Sequence, residues 1–138
     1  MAVTSAATAA DASSDNLPAL PLDESPVIAR RGWDLETPWR AFAVGQSGRA
    51  VLRGEEVDRF ELALGEENGE TWSGSLRVGE QLRPLPPGSH LDPRTGIFTW
   101  SPGVGFVGTY DLVFVRTNAQ GPIARREVRI ILQPKGHG

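Results

Sequence analysis

Segment 85–102 constrains the fold of this chain more than any other stretch. Three turn signals enclose one short apolar stretch there: Pro-Pro-Gly at 86–88, Asp-Pro-Arg-Thr-Gly at 92–96 and Pro-Gly at 102–103. Turn residues at such short intervals leave room for a short strand, here one that carries Phe98 and Trp100, but not for a helix. The segment predicts a small antiparallel β-sandwich, and it favours a structural or binding module over an enzyme.

The chain divides into a tail, one domain and a short polar end. Residues 1–26 are rich in Ala, Ser, Thr, Asp and Pro and contain no aromatic residue. Such a segment buries too little apolar surface to offset its loss of conformational entropy, which predicts a flexible tail or linker. The alternative is an extended arm that docks through its leucines. Residues 27–134 are predicted to form the sandwich, and residues 135–138 a polar tail.

Charge and composition exclude several classes of protein. The net charge of −3 divides into −4 from the four acids of residues 1–26 and +1 from the 14 bases and 13 acids that follow. No strongly basic face is expected, so nucleic acid is not a predicted partner. The chain has no cysteine, which excludes disulfides and thiolate metal sites.

No membrane insertion is predicted, because no apolar run approaches the roughly 20 residues that a bilayer requires. The N-terminus also lacks the apolar region of a signal peptide. If the parent protein is exported, we expect its signal to lie outside this chain.

Short apolar stretches recur along the domain with turn residues between them, which is typical of a sandwich. Strands are predicted at 27–29, 39–44, 49–53, 72–78, 97–100, 110–117 and 126–133, with a hairpin turn at 45–48 and an edge or connection at 82–87. The stretch 110–117 is apolar on both faces and should lie centrally in its sheet. In 126–133 the alternation points Val128, Ile130 and Leu132 into the core.

Segment 57–64 is ambiguous. Phe60, Leu62 and Leu64 alternate with polar or small residues, which is a strand pattern. Val57, Phe60 and Leu64 also share a helical face, and Glu, Leu and Ala favour helix. The turn-rich flanks favour the strand.

The chain resembles the cadherin-like and immunoglobulin-like repeats of bacterial surface and secreted proteins over residues 85–132. The matching parts are Leu-Pro-Pro-Gly at 85–88, Leu-Asp-Pro-Arg-Thr-Gly at 91–96, Phe-Thr-Trp-Ser-Pro at 98–102, Gly-Thr-Tyr at 108–110 and the alternating strand at 126–132. The resemblance implies a Greek-key β-sandwich that serves as a spacer, adhesion or recognition module in a longer protein. It also implies an extracellular or cell-surface location.

Calcium-binding members of that group carry an aspartate just after the tyrosine strand. Here residues 116–121 read Arg-Thr-Asn-Ala-Gln-Gly, and the acidic linker of true cadherins is missing. Calcium prefers six to eight oxygen ligands around one point, and Asp92 and Asp111 alone do not supply them. We therefore expect no calcium and no other cofactor or metal.

No motif predicts a catalytic residue. The Gly-x-Gly-x-x-Gly at 103–108 lies between Pro102 and a predicted strand, so no helix can hold a pyrophosphate there. Ser89 precedes His90, but adjacent residues on a strand point to opposite faces and cannot form a nucleophile–base pair, and the second histidine, His137, lies in the polar tail. We expect no enzymatic activity from this chain.

Exposed tryptophans are the candidate binding residues. Trp33 and Trp39 lie in polar sequence beside Arg40, and Trp and Arg are favoured at interface hot spots. Trp72 is a further candidate, whereas Trp100 fits the core. The alternative is that Trp33 and Trp39 close one end of the sandwich.

Two functions follow from these residues. The first is a non-catalytic module that contacts other protein domains or subunits. The alternative is a carbohydrate-binding module that holds a glycan through Trp33, Trp39 or Trp72, or an accessory domain of a secreted enzyme.

Overall fold

The computed structural model describes residues 20–135, and its regular structure consists of strands. None of the described residues belongs to a helix that could span a membrane. The all-β prediction is confirmed. The ten strands are β1 Val27–Arg31, β2 Arg40–Phe42, β3 Ala50–Glu55, β4 Phe60–Ala63, β5 Thr71–Val78, β6 Gln81–Arg83, β7 Ser89–Leu91, β8 Ile97–Trp100, β9 Gly108–Asn118 and β10 Gly121–Gln133.

The strands form two five-stranded sheets. The first sheet has the order β2-β1-β4-β8-β7, and the second has the order β3-β10-β9-β5-β6. The chain crosses from one sheet to the other after β2, β3, β4, β6 and β8, so both sheets depend on distant segments. Strand β9 lies at the centre of the second sheet, as its doubly apolar sequence predicts.

One strand pair departs from the antiparallel prediction. Strand β3 runs parallel to β10, with pairs from Val128 with Ala50 to Gln133 with Glu55. The hairpin predicted at 45–48 is therefore wrong. A turn does form there, with the Gly48 amide donating to the Gly45 carbonyl at 3.0 Å, but it joins β2 and β3, which belong to different sheets. A turn motif fixes the chain reversal locally, whereas the partner of each strand depends on the rest of the sheet.

The core lies between the sheets and is dominated by aromatic side chains. Phe60, Phe98, Trp100 and Phe114 are all fully buried. The indole of Trp100 donates to the Pro87 carbonyl at 3.1 Å, so its one polar group is satisfied. Burial of each such ring stabilises the fold by about 1.5–3 kcal/mol. On β10 the predicted inward residues are confirmed, since Val128, Ile130 and Leu132 are buried.

Segment 57–64 contains a strand, and the helical alternative is wrong. Phe60 and Leu62 of β4 are fully buried. Strand β4 pairs with β1 on one side and with β8 on the other. A central strand satisfies its backbone groups on both edges, and this outweighs the modest helix propensity of Glu, Leu and Ala.

Residues 20–26 form an extended arm on the second sheet. Leu22 makes a parallel bridge with Arg125 of β10. The Asp23 amide donates to the Arg125 carbonyl at 2.8 Å, and the Arg125 amide donates to the Pro21 carbonyl at 2.9 Å. The docked-arm alternative thus describes this part of the tail. Residues 1–19 and 136–138, with Leu17 and His137, lie outside the described residues.

Candidate functional site

The connection between β1 and β2, residues 32–39, carries an unusual amount of exposed apolar surface. Trp33 is 64 % exposed, Leu35 is 63 % exposed and Trp39 is 38 % exposed. Single exposed apolar residues are common, but large ones grouped on one short loop make this connection the candidate binding surface. We call residues 32–39 the tryptophan loop.

Arg30 of β1 holds the tryptophan loop against the first sheet. Its Nη1 donates to the carbonyls of Leu35, at 2.8 Å, and of Thr37, at 3.2 Å. Its Nε donates to Glu61 of β4 at 2.8 Å, and its guanidinium lies over the Trp39 ring. One side chain therefore fixes the backbone of the loop and one of its aromatic rings.

Hydrogen bonds also fix the first half of the loop. The Gly32 amide donates to the Arg59 carbonyl at 2.7 Å. Asp34 forms a turn, with its Oδ1 accepting from the Glu36 amide at 2.9 Å. The Trp33 indole donates to the Val57 carbonyl at 3.3 Å, so its polar edge is anchored while its face meets solvent. A loop held this way loses little conformational entropy when it binds.

Beside the tryptophan loop lies a cleft between β2 and β3, the neighbouring edge strands of the two sheets. It has a volume of about 170 Å³. We call it the arginine cleft, since four arginines line it together with apolar and small residues: Arg30, Arg31, Arg40 and Arg53, with Thr37, Pro38, Phe42, Leu52 and Phe60.

The four arginines differ in their partners. Arg30 pairs with Glu61, and Arg31 pairs with Asp58. Among residues 20–135, neither Arg40 nor Arg53 has a carboxylate within 4.0 Å of its guanidinium nitrogens. The cleft thus presents net positive charge at its rim.

Glu61 forms ion pairs with Arg30 and Arg59. Burial raises its pKa, but hydrogen bonds from Arg30 and Arg59 outweigh burial, and the net result is a lowered pKa. Glu61 is therefore ionised across the neutral range, and its two arginine partners are held in place.

The structure distributes the predicted binding residues between two places. Trp33, Trp39 and Arg40 lie on the β1–β2 connection or at its end, and all three are exposed. Trp72 does not join them, because it is buried in the core with 5 % exposure and its indole donates to the Gly65 carbonyl at 2.7 Å. Its ring offers no face to a ligand.

Sequence reasoning missed Leu35, Arg30 and Arg53. The exposed Leu35 lies two residues from Trp33, so a stricter count of apolar residues in the polar stretch would have found it. Arg53 lies on β3, and only the parallel pairing of β3 with β10 brings it beside the first sheet. No pattern in the sequence predicts that Arg53 lies beside the first sheet.

The remaining predicted candidates are used in local structure. Among residues 20–135 no group of three or more His, Asp or Glu side chains is arranged to hold a metal ion. Asp92 Oδ1 accepts the amides of Arg94 and Thr95, and Asp111 pairs with Arg129. The glycine-rich segment 103–108 is a loop that leads into β9, as expected.

The comparisons with known proteins give a distant likeness among solved structures. No family model matches the chain, and no curated protein does. A solved structure of a "putative alpha-galactosidase" from Bacteroides fragilis NCTC 9343 is similar to it with 17 % identity and a TM-score of 0.43. The match covers 83 % of this chain and 19 % of that one, so this chain corresponds to about a fifth of that protein.

Proposed function

We propose that this chain is a non-catalytic β-sandwich module that contacts another domain or subunit through the tryptophan loop. The observation that carries the proposal is the exposure of Trp33, Leu35 and Trp39 on a loop that the first sheet holds rigidly. The resemblance over residues 85–132 supports a place in a longer extracellular or cell-surface protein.

The composition of the loop favours a protein partner over a glycan. Tryptophan and arginine are enriched in the few residues that dominate protein–protein binding energy. Leu35, which is nearly as exposed as Trp33, can pack into an apolar pocket of a protein. Its branched side chain offers neither a flat stacking face nor a hydrogen bond to a sugar ring.

Amide hydrogen exchange tests the proposal in the full-length parent protein. We expect residues 32–39 to exchange more slowly in the parent than in the isolated chain, because the partner shields them. Leu35→Asp should restore fast exchange in the parent and leave the isolated chain folded. A matched control is Val104→Asp, since Val104 is 81 % exposed on the β8–β9 loop. Equal exchange of the loop in both contexts would refute the contact.

Glycan binding is the second candidate, and the exposed face of Trp33 favours it. Aromatic faces of this kind can stack on sugar rings. A glycan array probed with the native chain and with Trp33→Ala separates the candidates. Retention on a sugar that Trp33→Ala abolishes and Leu35→Ala leaves intact would support the glycan and overturn the protein contact.

A further inference from the structure

The arginine cleft has features of a binding site that the tryptophan loop alone does not explain. It opens between β2 and β3, each of which is the edge strand of its sheet. These two edges do not pair with each other, and the cleft is the gap between them.

The floor of the cleft is apolar and close to the core. Leu52 is 3 % exposed and Phe60 is fully buried, and the partly exposed Phe42 forms one wall. The volume of about 170 Å³ is below the about 300–1,000 Å³ of sites for drug-sized molecules. The cleft therefore suits one side chain of moderate size and not a cofactor.

The rim of the cleft is cationic, and the register of β2 with β1 sets the direction of the Arg40 side chain. Arg40 pairs with Ala29, and Phe42 pairs with Val27. Ala29 and Val27 are buried, and residues paired across an antiparallel ladder share a face. Arg40 therefore projects from the core-facing side of β2, and its guanidinium lies 5.3 Å from the centre of the Phe42 ring.

Two of the four arginines are available to an anion. Glu61 and Asp58 already engage Arg30 and Arg31, and within the described part of the chain Arg40 and Arg53 have no such partner. Arginine binds carboxylates with two parallel hydrogen bonds, and this geometry is strong when the group is partly removed from water. An incoming carboxylate would also balance the charge of these two arginines.

We propose that the arginine cleft binds an apolar side chain flanked by a carboxylate, supplied by an acidic segment of a partner polypeptide. The apolar group packs on the partly exposed Phe42, above the buried Leu52 and Phe60, and the carboxylate lies between Arg40 and Arg53. The inference rests on the proposed function in one respect, which is that the partner is a protein.

The probe for this site is N-acetyl-L-phenylalanine, which joins an apolar ring to a carboxylate. We expect nuclear magnetic resonance titration of the isotopically labelled chain to show saturable shifts at the amides of Arg40, Phe42 and Arg53. At typical ligand efficiencies the dissociation constant is about 1 mM. N-acetyl-L-phenylalaninamide, which has the same ring and no charge, should bind about tenfold more weakly.

Arg40→Gln and Arg53→Gln should each weaken binding of the charged probe by about tenfold and leave binding of the amide unchanged. Arg83→Gln is the matched control, because Arg83 is an exposed arginine on β6, the opposite edge strand of the second sheet. Its affinity for the probe should equal that of the native chain.

Three outcomes would overturn the proposal. Equal affinity for acid and amide would show that the cationic rim is unused. Tighter binding of glucuronate than of N-acetyl-L-phenylalanine would assign the cleft to an acidic sugar. Self-association of Arg40→Gln with unchanged probe binding would show that Arg40 only protects an edge strand from pairing.

The two proposals can fail separately. Probe binding in the cleft, together with fast exchange of residues 32–39 in the parent protein, would keep the cleft and refute the contact through the tryptophan loop. Slow exchange of residues 32–39 in the parent protein, without probe binding, would support the contact through the tryptophan loop and refute the proposed ligand of the cleft.

Discussion

The guanidinium carbon of Arg30 lies 4.3 Å from the centre of the Trp39 ring. Arg30 belongs to a paired strand, whereas Trp39 ends a connection without regular structure. A cation over an indole face contributes about 0.5–2 kcal/mol, depending on its exposure to water. This contact extends the order of the first sheet into the tryptophan loop and fixes the ring that the loop presents.

Loss of Arg30 should loosen the tryptophan loop. Arg30→Gln removes the ion pair with Glu61, two hydrogen bonds to loop carbonyls and the Trp39 contact. Glu61 keeps Arg59 as a partner at 3.2 Å, so we expect a loss of about 2 kcal/mol in the free energy of unfolding. Urea denaturation measures this loss, and hydrogen exchange should accelerate at 32–39. Arg83→Gln should change neither, and a rigid loop in Arg30→Gln would contradict the assignment.

Substitution of Gly96 should be severe for a steric reason. Gly96 has a φ of +73°, and an added Cβ would lie 2.6 Å from the Gly65 carbonyl oxygen and 2.8 Å from the Trp72 indole nitrogen. These two atoms hydrogen-bond to each other. We expect Gly96→Ala to cost about 3 kcal/mol, from backbone strain and disruption of that bond.

Gly79 provides the matched control. Its φ is +63°, but no atom lies within 4 Å of an added Cβ. Gly79→Ala should therefore show the backbone cost alone, about 1 kcal/mol. Thermal denaturation of both variants gives the comparison, and equal losses would contradict the packing argument.

Asp23 should hold the extended arm on the sandwich. Arg126 is 5 % exposed, and its Nη1 lies 2.9 Å from Asp23 Oδ2. Removal of the carboxylate leaves a buried cation with only carbonyl partners, and we expect Asp23→Ala to cost about 2–3 kcal/mol. Hydrogen exchange at the Arg125 amide, which donates to Pro21, should accelerate. Glu24→Ala, at an exposed neighbour, should stay within about 0.5 kcal/mol of the native chain.

The pair between Asp111 and Arg129 should make stability depend on pH. Hydrogen bonds from Arg129 lower the pKa of Asp111 in the folded state. A carboxylate with a lowered folded pKa adds stability above its unfolded pKa of about 3.9, and that stability is lost as the pH falls through the folded value.

The variant Asp111→Asn tests this dependence of stability on pH. The pair is a quarter to a third exposed, so the variant should lose no more than about 1 kcal/mol near neutral pH. The difference from the native chain should shrink below about pH 4. Urea denaturation across the acid range measures it, and a difference that grows toward acid pH would contradict the sign.

The turn at 92–96 shows why parts of this fold are readable from sequence. Asp92 accepts the Arg94 and Thr95 amides at 3.0 and 3.3 Å, and Gly96 adopts the positive φ that ends the turn. Every interaction there lies within five residues, so residue types alone specify it. The alternation in β10 is readable for a similar reason, because a strand places every second side chain on the same face.

The candidate binding residues could be predicted from the sequence only in part. Trp33 and Trp72 both lie in polar sequence near turns, yet one is 64 % exposed and the other 5 %. Trp72 is buried because its place in β5 turns its indole toward Gly65 and Gly96, beside β4 and β8 of the first sheet. That placement depends on pairings with residues about 40 positions away, and no local pattern encodes it.

The sequence by itself determined the strand class, most strand positions, the turns and the inward face of β10, since these follow from backbone and side-chain preferences over a few residues. Tertiary structure alone decided the parallel pairing of β3, the docking of residues 20–26 and the placement of Arg40 and Arg53 at one cleft. Each of these joins segments far apart in the chain. Their contacts form only when the whole sandwich buries its shared core.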